Sequence, residues 1–187
     1  YRRYRKTHPQ PTSSHGAVVY SVDTWTNYYT PEVGKAAVTL LERAGFQVIC
    51  PELFCCGRPA ISKGLLSEAK QLAETNIRLL ARVAEGAAAI VGTEPSCILT
   101  LVDEYPQLLR TAEARRVASK AMMLETFLRR VLDDNRSALS FRPLVAPIRY
   151  HAHCHQKAMV SSDDAVALMR IAWGDSATEI NSGCCGM

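Results

Sequence analysis

Residues 53–66 read "LFCCGRPAISKGLL", and the centre of that stretch returns at residues 181–187 as "NSGCCGM". With 7 cysteines and 10 glycines in 187 residues, chance supplies about one hundredth of a Cys-Cys-Gly triplet, so two copies mark an internal repeat. Adjacent cysteines are poor staples, because their geometry resists a mutual disulfide and each needs a distant partner. The pairs therefore direct attention to ligand or redox chemistry rather than to a cross-linked framework.

Outward from the first pair, strand and helix patterns alternate. "AVVYSVD" (17–23) is an apolar run with strand character. Thr30-Pro31-Glu32 carries a cap, a first-turn Pro and an early acid, so it starts a helix with an apolar stripe of Val33, Ala36, Ala37, Leu40, Leu41 and Ala44. Gly45 ends that helix, and "FQVICP" (46–51) is the second strand. Ser62 is expected to cap a longer helix running on Leu65, Leu66, Ala69, Leu72, Ala73, Leu80 and Val83. "AAAIVGTEP" (87–95) is a buried third strand, "CILTLVDEYPQLL" (97–109) opens a helix, and "SKAMMLETFLRRVLDD" (119–134) extends as a long helical segment. "IRYHAHCH" (148–155) resumes as a strand, "DDAVALMRIA" (163–172) as a helix and "SATEINSG" (176–183) as a last strand. This order predicts an α/β fold with a mainly parallel sheet, built as two pseudo-repeated, Rossmann-like halves.

The halves align on the cysteines. In the second, a strand is expected to end at Cys154 and the pair begins at Cys184 (184 − 154 = 30); in the first, the strand ends near Asp23-Thr24 and the pair begins at Cys55 (55 − 24 = 31). Each half is strand, helix, strand, Cys-Cys-Gly, and the first half has lost the leading cysteine. Cys55, Cys56, Cys97, Cys154, Cys184 and Cys185 all follow the C-terminal end of an expected strand, the edge where parallel α/β sheets bind ligands. They are expected to converge on one rim. Cys97 opens a helix, where the dipole favours a thiolate. Cys50 reads as a small buried hydrophobe inside the second strand. The expected boundaries are a linker at 1–15, a first half at 16–110, a helical connection at 111–147 and a second half at 148–187.

Composition narrows the function. A net charge of +4 without aromatic–basic interleaving gives no sign of nucleic-acid binding. No run approaches a membrane helix and no signal peptide is evident, so the chain reads as cytosolic or facing the cytosol, where cysteines stay reduced and serve metal or redox chemistry. The opening "YRRYRKTHPQPTSSHG" (1–16) reads as a linker from a preceding domain rather than a basic arm, and both ends look cut.

"CCGRPAISKGLL", "GTEPSC", "HCHQKA" and "SGCCGM" resemble the cysteine-rich CCG domain of FAD-linked oxidase iron–sulfur proteins. That group includes D-lactate and D-2-hydroxyglutarate-type dehydrogenases, the glycolate oxidase iron–sulfur subunit and, distantly, the CCG-bearing subunit of heterodisulfide reductase. The resemblance covers about residues 16–187, and "WTNYYTPEVG" (25–34) is similar to the single-chain oxidases with upstream FAD and ferredoxin-like domains. It implies a [4Fe–4S] cluster held by a leading Cys, a Cys-Cys pair and a later Cys-x-x-Cys. By that implication Cys154 is the second half's leader and Cys184-Cys185 its pair, with later cysteines falling beyond Met187. The first half offers Cys55, Cys56 and Cys97, with Glu94 in the first place of Cys-x-x-Cys and Asp23-Thr24 at the leader.

In "HAHCHQK" (151–157), alternation puts His151 and His153 on one strand face and Cys154 on the other. His153 or His155 is either a ligand, a proton donor coupled to electron transfer, an orienter of Cys154, or a packed ring. His151 reads as a sheet residue and Lys157 as solvated. Three function classes remain. The first is an electron-transfer domain passing electrons from an upstream flavin to an acceptor, with quinone a candidate. The second is a zinc-binding structural module using Cys154, Cys184, Cys185 and a histidine. The third is a metal-free docking module of the same oxidoreductase.

Overall fold

The structure is a computed structural model that describes residues 13–142 and 146–184. The basic arm of Arg2, Arg3, Arg5 and Lys6 lies outside the described residues, as do Cys185 and Gly186. The chain divides into two compact units between Leu124 and Glu125.

The first unit runs β1 (Ala17–Tyr20), α1 (Thr24–Tyr28), α2 (Pro31–Arg43), β2 (Gln47–Ile49), α3 (Arg58–Ser62), α4 (Leu66–Val83), β3 (Ala87–Gly92), α5 (Pro95–Val102), α6 (Glu104–Leu109), α7 (Ala112–Lys120) and β4 (Ala121–Met123). The sheet order is β2-β1-β3-β4, and every pairing is parallel. Parallel neighbours need covered crossovers, which the helices supply. Val18, Val19, Tyr20, Ile90 and Val91 are wholly buried, so the inner strands are continuous apolar runs rather than alternating ones. Pro31 occupies the first turn of α2 and Glu32 faces its positive end, as expected, although the Thr30 side chain makes no capping bond. Gly92 ends β3 because a Cβ there would lie 2.8 Å from Ile98 Cβ, so only glycine lets α5 fold back so tightly.

The second unit contains α8 (Leu124–Asp134, whose first residue belongs to the first unit), β5 (Ile148–Tyr150), α9 (Cys154–Met159), α10 (Asp163–Trp173) and β6 (Ala177–Glu179). β5 and β6 pair in parallel. Its buried polar link is Gln156, which accepts from Tyr150 Oη at 2.8 Å and donates to Glu125 Oε1 at 2.8 Å.

The α/β repeat appears element by element. β1 and β5 end at Tyr20 and Tyr150, and the following helices are capped by Asp23 and His153, each offset by 130 residues (150 − 20, 153 − 23). β2 and β6 show the same offset (177 − 47).

Several local expectations are corrected. β1 stops at Tyr20 and Asp23 caps α1 instead of ending the strand. The helix expected from Ser62 is two helices, with α3 ending at Ser62 and α4 starting at Leu66; between them Gly64 takes φ +75°, a left-handed turn no continuous helix contains. Leu65 and Leu66 are therefore exposed rather than on the buried stripe, and Val33 of α2 is exposed as well. The long helix at 119–134 is interrupted by β4, whose pairing with β3 overrides its helical pattern. Finally, β5 stops at Tyr150, so Cys154 opens α9 and the strand-face reading of His151, His153 and Cys154 does not apply. Cys50 likewise sits just past β2 and is only half-buried, because the ladder with β1 ends at Ile49. Cys50→Ala is expected to cost at most about 1 kcal/mol, read from a urea denaturation midpoint, and to leave metal loading unchanged.

Candidate functional site

In the first unit, the chain beyond the C-terminal ends of β1, β2 and β3 encloses a cavity of about 250 Å³. Asp23 and Thr24 line it after β1, Phe54, Cys55 and Cys56 after β2, and Cys97 after β3. An adjacent cysteine pair and a third cysteine 41 residues beyond Cys56 thus meet at one wall. Cys56 Sγ donates to Cys97 Sγ at 3.2 Å, and Cys55 in turn donates to Cys56. Cys55 is exposed, Cys97 half-buried and Cys56 buried.

The glycine of the motif has a clear task. Gly57 takes φ +83° as the N-cap of α3, a conformation that costs any L side chain about 1–2 kcal/mol. The chain can therefore leave the cysteine pair and enter a helix within one residue. Arg58, next in line, pairs its guanidinium with Glu104.

The backbone of the cysteine loop is tied down by two residues that sequence reasoning missed. Asn76, 2% exposed on the apolar stripe of α4, accepts from Phe54 N at 2.9 Å and donates to Phe54 O at 3.3 Å and Cys55 O at 3.1 Å. It also donates to Tyr105 Oη at 3.0 Å, and that hydroxyl donates to Cys56 O at 3.0 Å. The available signal was an Asn in the middle of the run Ala73, Ile77, Leu80, where a polar side chain must have a buried partner.

Glu94 caps α5 by accepting from Cys97 N at 2.6 Å through Oε2, while its Oε1 is buried and has no hydrogen-bond partner. Asp23 is committed otherwise: it accepts from Thr26 N at 2.8 Å and Thr26 Oγ1 at 2.6 Å.

All three thiols hold their protons. The hydrogen bond Cys55 donates to Cys56, with burial, raises Cys55 well above an ordinary thiol. Cys56 is lowered by that same bond but raised by its own donation to Cys97 and by burial, and the balance pushes it up to about 12. For Cys97 the bond from Cys56 lowers the pKa, and burial with the charges of Glu94 and Asp23 outweighs it. The expected thiolate at the start of a helix is thus overruled, first by burial and then by the carboxylate that caps the same helix.

In the second unit, Cys154 follows β5 and Cys184 follows β6, both at the C-terminal ends of a parallel pair, and both are exposed. His153 caps α9, its Nδ1 accepting from His155 N at 3.2 Å. Lys157, expected to be solvated, instead donates to Ser182 O and, at 3.1 Å, to Gly183 O. His151, expected within the sheet, lies exposed past β5 and bonds Ser182 Oγ through Nε2. The carbonyls leading into Cys184 are thereby held by a lysine, as those around Cys55 are held by Asn76 and Tyr105.

Among the described residues, no three His, Cys, Asp or Glu donors are gathered to close on a single metal ion. In the first unit the thiols point at one another, and ligation requires them to part and lose protons. Their donor chemistry fits an iron–sulfur group: three soft thiols share one cavity wall, beside a carboxylate with an unused buried oxygen.

A model of the CCG cysteine-rich domain family matches residues 23–102. A subunit of the anaerobic glycerol-3-phosphate dehydrogenase of Escherichia coli (strain K12) is 30% identical over 190 residues, covering 100% of this chain and 47% of that protein. Lactate utilization protein A of Geobacillus kaustophilus is 37% identical over 146 residues, 74% of this chain and 56% of the relative. The protein of that name from Bacillus licheniformis is 32% identical over 169 residues, 84% of this chain and 67% of the relative. The chain thus spans about half the length of the dehydrogenase subunit it matches. No solved structure gives a significant match.

Proposed function

We propose, from the premise that this chain belongs to the CCG family of cysteine-rich domains, that it is the electron-transfer part of an FAD-dependent 2-hydroxy-acid dehydrogenase. The observation that carries the reading is the meeting of Cys55, Cys56 and Cys97 at one cavity. One relative is named as a dehydrogenase subunit and another for lactate utilization, and lactate is a 2-hydroxy acid. A [4Fe–4S] cluster, when bound, supplies one-electron transfer between a flavin and an acceptor, for which quinone is our candidate.

The chain's own residues supply the rest. Cys55, Cys56 and Cys97 are the proposed ligands in the first unit, with Glu94 Oε1 as a further, harder oxygen donor. Cys154, Cys184 and Cys185 are proposed in the second, with His153 or His155 as a further donor. Asn76 and Tyr105 hold the first cysteine loop, and Lys157 holds the approach to Cys184. Partners are FAD and ferredoxin-like domains of the same oxidoreductase. We assign the cytosol, either free in it or peripheral on the cytosolic membrane face; among the described residues no helix is long and apolar enough to cross a membrane.

A docking role is a second reading, favoured by aromatic exposure at the cavity wall: Tyr28 is 71% and Phe54 60% exposed, and both line the cavity. Anaerobic reconstitution with iron and sulfide, followed by metal and acid-labile sulfide analysis, separates the readings. Visible absorption that is lost in Cys56→Ser and Cys97→Ser supports the cluster. Zinc with no visible absorption supports a structural module. A protein that takes up neither metal, and transfers electrons equally well with its cysteines replaced, removes the cluster reading in favour of docking.

A further inference from the structure

We infer that Cys56 and Cys97 form an oxidative modification site, joined as a disulfide by hydrogen peroxide when no metal separates them. Their sulfurs stand 3.2 Å apart. Two thiolates on one tetrahedral zinc-sized ion stand about 3.8 Å apart, from bonds of about 2.3 Å, and disulfide sulfurs about 2.0 Å. The pair therefore already stands closer than ligation of one such ion requires, and between that separation and the length of a disulfide bond. Cys55 also touches Cys56, but a link between adjacent residues strains the peptide between them. Cys50 does not line the cavity.

Access follows the same geometry. Both sulfurs belong to the cavity wall, and Cys97 is the more exposed of the two, so a peroxide reaches it first. The Cys97 sulfur attacks one peroxide oxygen, the O–O bond breaks, and Cys97 sulfenic acid forms. The departing hydroxide takes the proton that left Cys97 and becomes water. The Cys56 sulfur then attacks the Cys97 sulfur, the S–O bond breaks, and the second hydroxide leaves as water with the Cys56 proton. The sulfur pair loses two electrons and the peroxide is reduced to two waters. The product withdraws two of the first unit's three thiols from metal, and a thiol reductant restores them.

This inference goes beyond the electron-transfer reading and does not depend on it. The test treats the metal-free, reduced 187-residue chain with near-stoichiometric hydrogen peroxide, alkylates the remaining thiols and maps peptides by mass. The expected product has two fewer free thiols and a Cys56 peptide joined to a Cys97 peptide, and dithiothreitol reverses it. Cys50→Ala leaves the cross-link in place. A Cys55–Cys56 link or an intermolecular link as the main product overturns the inference, as does Cys97 sulfinic acid with Cys56 still alkylatable. A second arm loads iron and sulfide into reduced and peroxide-treated protein. Loading that fails only after peroxide and returns with dithiothreitol supports the lock. If the cross-link forms but reduced protein takes no iron, the disulfide stands and the ligand reading falls; if both forms load equally well, the lock on metal is overturned.

Discussion

Replacing Asn76 by leucine is expected to lower stability by about 3–4 kcal/mol, since each buried group left without its partner costs about 1–3 kcal/mol. The shapes are similar, so cavity formation contributes little. What is lost is the partner of Phe54 N, Phe54 O, Cys55 O and one side of Tyr105 Oη. Asn76→Asp is no rescue, because it turns a carboxylate oxygen toward two carbonyl oxygens. Tyr105→Phe is expected to cost about 1–2 kcal/mol, and the double variant less than the sum, because the two side chains share a bond. Urea midpoints measure the stability. Iron bound per folded molecule, after reconstitution at low urea, reads the positioning of the cysteine loop. An Asn76→Leu protein within about 1 kcal/mol of the parent would remove the tether from the account.

The second large effect is on pH. A thiophilic cation binds thiolate, and all three thiols of the first unit hold their protons more tightly than free cysteine does. Each thiol that must deprotonate makes apparent affinity rise about tenfold per pH unit below its pKa, so three give about a thousandfold per unit. Affinity rises with pH because the proton is the competitor. The high pKa values keep the slope steep beyond neutrality, past the ordinary thiol value of about 8.5 at which it would otherwise flatten. Cadmium titrations across this range, followed by thiolate charge-transfer absorption, measure it on a variant lacking Cys154, Cys184 and Cys185. Cys97→Ser should lower the slope by one proton. A slope of one proton or fewer in the parent variant would show that the three thiols do not bind together.

Much of this was legible in the residues. β1, β2 and β3 announced themselves as apolar runs bounded by glycine and proline, and their order told where Cys55, Cys56 and Cys97 would emerge. β4 did not, because three residues between amphipathic helices carry no period of their own and only pairing with β3 makes them a strand. Cys154 was misplaced because "IRYHAHCH" alternates like a strand, while the partner β6 is only three residues long and pairing stops with it. A histidine as the helix cap gave no warning. Lys157 could not be read from its neighbours at all, since its acceptors lie 25 and 26 residues away. The thiol pKa direction was misjudged for a different reason: the helix start was visible, but the burial that outweighs it depends on packing in space, with the Glu94 charge adding to it.

β1 and β5 correspond in position but differ in what flanks them. β1 is flanked on both sides, by β2 and β3, whereas β5 has β6 on one side and no second strand among the described residues. A strand open along one side presents a row of amide and carbonyl groups that another extended chain can complete, and a two-stranded ladder is marginal by itself. Within the described residues the four-stranded sheet thus carries its first strand inside, with β2 and β4 at its edges, while β5, the counterpart of β1, keeps one side along which a further extended segment can pair.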